Sequence, residues 1–195
     1  MFLCSRLALA LFCLFAVACT PAPTPPHFPE ITFRTEPPLR IAAETVDIVE
    51  TYVPPLRAPN VEHESPVAPS ILLRRWAEQR LEAAGGPGFV RATITDASIV
   101  ETELETNQTV EASFQAEQAF RFNGRAAMRI ELVDNAALVR ATVEGAAEEV
   151  RTLPENATLL ERQEVLFQMS VDLARALDKV LAENLRQHFA AHLVP

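Results

Sequence analysis

The sequence feature that most constrains the fold is a two-residue alternation between positions 114 and 132. Eight apolar side chains of this stretch fall at even positions, namely Phe114, Ala116, Phe120, Phe122, Ala126, Met128, Ile130 and Leu132. Because successive side chains of a β-strand point to opposite faces of a sheet, the pattern predicts β-structure with one buried face.

An Asn123-Gly124 pair in the middle of this stretch predicts a β-hairpin. A two-residue turn there would place the two apolar rows on opposite faces of the sheet. A three-residue loop over residues 122–124, with Gly124 left-handed in a bulge, instead pairs Phe120 with Ala126. We therefore expect the three-residue loop, since it buries both rows on one face.

Periodicity and turn residues predict five further elements. These are a strand over 39–53 with a kink or bulge, a helix from Pro69 that stops at the glycines of 85–88, a strand over 90–104, a strand over 138–150 after a turn at Asp134-Asn135, and a helix over 158–192. The last helix begins at Thr158 and Glu161, which form a capping-box motif.

The resulting order is β-α-β-β-β-β-α, without regular alternation of strands and helices. Such an order favours the α+β class, with an antiparallel sheet of about four to five strands and both helices packed on one face. Residues 39–195 are enough for one hydrophobic core and too few for two. We expect them to form a single α+β domain.

The charge argues against a nucleic-acid-binding protein, and the cysteine content argues against a domain held together by disulfides. The net charge is −9, from 26 acidic and 17 basic residues. A surface this acidic is unsuited to nucleic acid, whose phosphates require a basic surface. The three cysteines are Cys4, Cys13 and Cys19, and two of them fall in a predicted leader. A chain that retains one cysteine has no intramolecular disulfide, so its core alone must hold the fold.

Residues 1–18 have the organisation of a secretory signal peptide. Arg6 supplies the positive charge, and an apolar run of eleven residues follows from Leu7 to Val17. That run is well short of the ~20 residues needed to span a bilayer, so it predicts an export signal rather than a permanent membrane helix. Small residues then precede Cys19.

The segment Ala16-Val17-Ala18-Cys19 resembles the lipobox of bacterial lipoproteins, with alanine at position 16 where leucine is more usual. The resemblance implies cleavage before Cys19, a diacylglyceryl thioether on its sulfur and acylation of its new amino group. Two or three acyl chains would anchor the chain stably to a membrane. The alternative is ordinary cleavage that leaves Cys19 as a free thiol. Thr20 follows Cys19, where an aspartate would favour retention at the inner membrane. The sequence therefore favours the outer membrane, with the domain facing the periplasm.

Residues 19–38 predict a lipidated, proline-rich stalk. Seven prolines lie between positions 20 and 38, and such a composition is typical of an extended, semi-rigid spacer. Disordered filler would have the same composition, and the sequence does not separate the two.

Candidate chemical groups are few, and we predict no catalytic, cofactor-binding or metal-binding residues. His188 and His192 lie four apart but lack a third ligand. The loop cluster Glu62-His63-Glu64 could form an acid-base or ion site, although solvated surface is the commoner role of such runs. The acidic residues Glu101, Glu103, Glu105 and Glu111 favour a solvated strand face. Trp76 favours a core anchor over a ligand stack.

The sequence thus favours a non-enzymatic binding or scaffold protein of the bacterial cell envelope, such as a transport or assembly accessory with a protein partner. In layout the domain also looks like small α+β domains of envelope lipoproteins that assist transport or lipopolysaccharide assembly. The alternative is a carrier of a lipid or other apolar ligand, with Phe114, Phe120 and Phe122 lining a cavity. An envelope hydrolase is a weaker option, since no nucleophile and base are indicated.

Overall fold

The computed structural model describes residues 27–104 and 118–195. Its elements in chain order are β1 (Leu39–Ile41), β2 (Thr45–Glu50), a 3-10 turn (Glu62–Glu64), α1 (Pro69–Arg80), β3 (Leu81–Ala83), β4 (Phe89–Glu103), β5 (Gln118–Val133), β6 (Val139–Pro154) and α2 (Leu159–His188). Two helices combined with sheets of two and four strands confirm the α+β class.

The larger sheet has the strand order β2-β4-β5-β6. It is a mixed sheet, whereas the sequence predicted an antiparallel one. The strands β4, β5 and β6 are antiparallel neighbours, whereas β2 runs parallel to β4, with Thr45 opposite Phe89. The reason is the crossover through α1, since parallel neighbours need a long connection of this kind.

The strand expected over residues 39–53 is two strands in two different sheets. The first, β1, pairs in parallel with β3 in the smaller sheet, and β2 belongs to the larger one. Leu39, Ile41 and Ala43 are buried at odd positions, whereas the partly buried Val46 and Ile48 fall at even positions. The change of phase therefore marks the passage from one sheet to the other.

The predicted hairpin at Asn123-Gly124 is wrong, because β5 runs without a turn from Gln118 to Val133. Gly124 lies within the strand on the buried face, next to α2. A Cβ at this position would lie 2.8 Å from Leu173 Cδ1 and 3.0 Å from Met169 Cε. The glycine thus permits close approach of helix and strand rather than a turn. Phe114, the first residue of the even-numbered apolar row, lies outside the described residues.

Both helices pack on one face of the larger sheet, as predicted. The core between them includes Leu72, Leu73, Trp76, Val90, Ala92, Ile94, Met128, Ile130, Leu173, Leu177, Leu181 and Leu185. The opposite face carries charged side chains in cross-strand pairs, among them Arg129 with Glu144 at 2.6 Å and Arg125 with Asp96 at 3.3 Å. This face, called the outer sheet face below, is solvated.

The capping box at the start of α2 is confirmed. The Thr158 hydroxyl accepts a hydrogen bond from the Glu161 backbone N–H at 3.2 Å, and the Glu161 carboxylate accepts one from the Thr158 N–H at 2.7 Å. The Thr158 N–H, and then the Thr158 hydroxyl, which donates to the same carboxylate at 2.8 Å, lower the pKa of Glu161. The helix ends at His188 rather than near His192, because residues 189–192 form a turn.

None of the helices within residues 27–104 and 118–195 has the length and apolar content needed to cross a membrane.

Candidate functional site

The N-terminal segment, residues 27–38, packs against the helices. Ile31 and Phe33 are 9% and 5% exposed and belong to the main core cluster. The ring of Phe28 lies 5.0 Å from the ring of Phe167 on α2. The described part of the predicted stalk is therefore attached to the domain through its apolar side chains.

Side chains of α1 hold the backbone of this segment. The Gln79 carbonyl oxygen accepts hydrogen bonds from the Phe33 N–H at 2.7 Å and the Thr32 hydroxyl at 3.1 Å. Arg75 donates to the carbonyl oxygen of Ile31 at 2.9 Å. Since the segment has no regular secondary structure, these contacts satisfy backbone groups that a helix or sheet would otherwise satisfy.

A buried ion pair fastens the two helices and the N-terminal segment together. Arg80, whose side chain is 1% exposed, donates to Asp178 on α2 at 2.9 Å and to the carbonyl oxygen of Pro37. The indole N–H of Trp76 donates to the same Asp178 oxygen at 2.6 Å. Trp76 is 1% exposed, which confirms the prediction that it is a core residue.

The predicted loop cluster Glu62-His63-Glu64 forms the 3-10 turn, and its members have different environments. Glu62 is 1% exposed, whereas His63 and Glu64 are exposed. The Glu62 carboxylate accepts hydrogen bonds from the Tyr52 hydroxyl at 2.8 Å, the Ile99 N–H at 3.2 Å and the Asn60 amide at 3.3 Å. Burial and the contact with Glu62 raise the pKa of Tyr52 above its usual range.

Arg162 on α2 joins the 3-10 turn to the end of β4. It binds Glu101 through two hydrogen bonds of 2.6 and 2.9 Å and Glu64 through contacts of 2.8 and 3.1 Å. Its guanidinium also lies 5.1 Å from the centre of the buried Phe122 ring. The hydrogen bonds that Arg162 donates to Glu101, and then those that it donates to Glu64, raise the pKa of Arg162.

These contacts identify the 3-10 turn as a structural clamp rather than an open acid-base site. Both carboxylate oxygens of Glu62 accept hydrogen bonds from within the domain. Arg162 binds Glu64, the carboxylate of the turn that is exposed to solvent. Groups that bind and release protons for a substrate must face the place where it binds. The charge pattern was visible in the sequence, but the burial of Glu62 depends on the distant Tyr52 and Ile99.

Replacing Glu62 with alanine should lower the free energy of unfolding by about 2 kcal/mol, because the buried Tyr52 hydroxyl and Ile99 N–H lose their acceptor. His63→Ala in the same turn is the matched control, and its effect should stay within about 0.5 kcal/mol because His63 is exposed. Urea unfolding followed by tryptophan fluorescence measures both changes. Equal effects of the two substitutions would contradict the clamp.

The remaining candidate residues are not brought together into one site. His188 is exposed at the last position of α2, and the ring of His192 packs against Phe189, with 6.2 Å between ring centres. Glu101 binds Arg162, whereas Glu103 is exposed. Glu105, Glu111 and the predicted lipidation site Cys19 lie outside the described residues. Within residues 27–104 and 118–195, no three metal-ligating side chains form a cluster.

Phe122, one of the three aromatic residues predicted to line a cavity, lies in a packed cluster. It is fully buried with Val61, Ile99, Leu153, Leu166 and Met169, and Phe120 packs against the same cluster. Phe114 is outside the described residues. Phe122 therefore contributes to the core between the 3-10 turn, the sheet and α2.

The comparisons with known proteins add no functional assignment. No family model matches the chain, and the search of curated proteins finds no match. Among solved structures, the chain is similar to a minor lipoprotein from Acinetobacter baumannii, with 10% sequence identity and a TM-score of 0.37 over 78% of this chain and 96% of that one. A likeness at this level carries no argument about function.

Proposed function

We propose that the chain is an envelope lipoprotein, held at a membrane by acyl chains on Cys19, whose α+β domain has a non-enzymatic binding or scaffold role. The observation that carries the proposal is the leader, in which Arg6, an eleven-residue apolar run and three small residues precede Cys19. Signal peptides of this form direct export, and in the lipobox that residues 16–19 resemble, the cysteine after the cleavage site accepts the lipid.

The packing of the N-terminal segment supports the same proposal. Phe28 packs on Phe167 and the main core cluster, and it follows Cys19 by nine residues, a distance of at most about 30 Å along the chain. A membrane anchor at Cys19 would then hold the whole domain close to the bilayer. The proposal places that domain in the periplasm, at the outer membrane, with an envelope protein as its partner.

A binding or scaffold role is proposed because the candidate charged residues that are buried or partly buried serve the fold. Glu62, Arg80, Asp178 and Arg162 are each engaged in hydrogen bonds that join separate elements. We do not propose the apolar-ligand carrier, because the described residues around Phe122 pack against one another.

Metabolic labelling with a tagged fatty acid tests the anchor. The full-length chain should carry the label, and Cys19→Ser should abolish it because serine has no sulfur for the thioether. Cys13→Ser is the matched control, since this cysteine lies in the apolar part of the leader and should leave the label unchanged. Separation of inner and outer membranes by density then locates the labelled protein.

The outcome that refutes the proposal is label of equal strength in the wild-type chain and in Cys19→Ser, or the absence of label from both. Either result would leave Cys19 as an ordinary residue of an exported or cytoplasmic chain.

A further inference from the structure

We propose that residues 53–59, called the apolar loop below, are the surface through which the domain binds a partner protein, and that the partner offers an apolar groove with a basic rim. The loop has the sequence Val-Pro-Pro-Leu-Arg-Ala-Pro. This inference rests on the proposed binding role and adds the surface that performs it and the chemistry of the partner.

The first observation is the exposure of apolar side chains in a segment without regular secondary structure. Val53 is 80% exposed and Leu56 is 66% exposed, and both lie outside the helices and strands. Other exposed apolar residues, such as Leu159 of α2 and Val150 on the outer sheet face, belong to a regular helix and a regular strand. An apolar side chain that is exposed in the free protein is stabilised when a partner buries it.

The second observation is the backbone of Leu56, which has φ +55°. This left-handed conformation is unfavourable for a residue with a bulky side chain. Ala137 is the other non-glycine residue with positive φ in residues 27–104 and 118–195, and it lies in the tight turn that Asp134 closes with its backbone and side chain. At Leu56 the strained backbone instead carries an exposed apolar side chain, which is the kind of outlier that points to a function outside the fold.

The third observation is that one buried carboxylate holds both ends of the loop. Tyr52 directly precedes the loop and donates to one oxygen of Glu62 at 2.8 Å, whereas Asn60 directly follows it and donates to the other at 3.3 Å. Burying a carboxylate among neutral donors is unfavourable unless its hydrogen bonds are satisfied. Pro54 and Pro55 also have a fixed φ. The loop is therefore ordered before it meets a partner, which lowers the entropic cost of binding.

The fourth observation is the charge around the base of the loop. The Glu101 N–H donates to the Pro59 carbonyl oxygen at 2.9 Å, so the end of β4 lies beside the loop. The charged residues of the loop, the 3-10 turn, the end of β4 and the Arg162 contact have a negative sum; they are Glu62, Glu64, Glu101 and Glu103 against Arg57 and Arg162.

This charge selects the occupant. A bilayer with anionic lipids attracts basic segments, so an acidic surrounding disfavours a membrane. A second copy that placed its loop against this one would bring like charges together. A protein groove with apolar walls and a basic rim complements both the side chains of Val53 and Leu56 and the carboxylates beside them.

The stability of a Leu56→Asn variant tests whether leucine at this position serves the fold. Asparagine adopts positive φ more readily than leucine, so we expect the urea midpoint of unfolding to rise. Val53→Asn is the matched control, because it removes an exposed apolar side chain at a residue without positive φ and should leave the midpoint unchanged. A midpoint of Leu56→Asn at or below that of the wild-type chain would overturn the proposal.

Photocrosslinking in cells tests the contact itself. The photoreactive residue benzoylphenylalanine replaces Val53 in one full-length chain and Val150, on the outer sheet face, in another. We expect one discrete protein adduct from position 53 and a severalfold weaker one from position 150. Adding Leu56→Asn should lower the adduct severalfold, whereas Leu159→Asn, at another exposed leucine, should leave it unchanged. Equal adducts from the two positions, or an adduct that is insensitive to Leu56→Asn, would overturn the apolar loop as the binding surface.

Mass spectrometry of the adduct tests the chemistry of the partner. The crosslinked peptide should be apolar and flanked by lysine or arginine, and salt should weaken the binding of the purified partner severalfold because part of the attraction is between charges. A lipid adduct, an adduct with the mass of two copies of this chain, or a crosslinked peptide from an acidic surface would overturn the proposed partner.

Fatty-acid labelling of the same chains separates this inference from the proposed anchor. Label on the wild-type chain without a specific adduct from position 53 overturns the apolar loop and leaves the anchor at Cys19 intact. A specific adduct without label supports the apolar loop and refutes the anchor.

Discussion

Gly88→Ala should destabilise the domain by about 3 kcal/mol or more, the largest effect we expect from a change of one methyl group. Gly88 has φ +82°, a conformation that costs an L-residue about 1–2 kcal/mol. A Cβ at this position would also lie 2.0 Å from the Val133 carbonyl oxygen and 2.8 Å from the Asp134 Cα. Overpacking of this kind typically costs a further 1–3 kcal/mol or so.

The backbone around Gly88 has little freedom to relax. Its carbonyl oxygen accepts a hydrogen bond from the Glu44 N–H at 2.8 Å, and the next residue, Phe89, pairs with Val133. The first residue of β4, the last residue of β5 and the first residue of β2 meet at this point. Moving Val133 away from a new methyl group would therefore break the first pairing of the central strands.

Gly85→Ala is the matched control for Gly88→Ala. Gly85 has φ +85°, but a Cβ there would have nothing within 4 Å. Its replacement should cost about 1 kcal/mol, the conformational part alone. Urea unfolding of both variants separates the steric contribution from the conformational one. If Gly88→Ala costs no more than Gly85→Ala, the close contact with β5 is not present in solution.

Asp178→Ala should destabilise the domain by about 3 kcal/mol, because it leaves the buried guanidinium of Arg80 without its counter-charge. The Trp76 indole N–H loses its acceptor at the same time. Arg80 also binds the carbonyl oxygen of Pro37, so we expect the N-terminal segment to loosen with the ion pair. Urea unfolding measures the stability, and limited proteolysis near residue 37 measures the loosening.

Asp172→Ala on the same helix is the control. Asp172 pairs with Arg151 at 2.7 Å, but the Arg151 side chain is 45% exposed. An exposed pair of this kind contributes about 0–1 kcal/mol. Similar losses of stability in the two variants would show that burial does not make the Arg80–Asp178 pair more important to stability than the Arg151–Asp172 pair. If Asp178→Ala is cleaved near residue 37 no faster than the wild-type chain, the ion pair does not help to hold the N-terminal segment.

Elements with a strong local signal were predicted well from the sequence. The helix α1 begins at Pro69, and α2 begins at the Thr158–Glu161 capping box, as expected. The strand β4 also has almost the predicted bounds. Capping and periodicity act over a few residues, so neighbouring side chains are sufficient to specify them.

The hairpin at Gly124 shows how a local signal can mislead. Asn-Gly is a strong turn signal, yet the even-numbered apolar residues continue across it without a change of phase. That continuity is the property of one long strand, and it could have decided against the turn. The glycine itself is explained by Leu173 and Met169, which lie about fifty residues away along the chain in α2.

The candidate sites divide in the same way. The predicted leader and the predicted lipidation of Cys19 rest on contiguous residues, whereas the burial of Glu62 depends on Tyr52 and Ile99 in other elements. The only sequence indication that residues 28–33 pack on the domain is the presence of Phe28, Ile31 and Phe33 in a proline-rich segment. A composition rich in proline predicts an extended backbone, but it does not say whether that backbone lies against a neighbouring surface.

The sequence by itself determined the α+β class and the two helices, and it alone carries the prediction of an anchor at Cys19. The tertiary structure alone decided that β2 runs parallel to β4, that Gly124 lies against α2 and that the N-terminal segment packs on α1. The physical reason is the separation along the chain between the residues that interact. Helix caps and periodicity depend on neighbours in the chain, whereas strand partners and the close approach of a helix to a glycine depend on residues that only folding brings together.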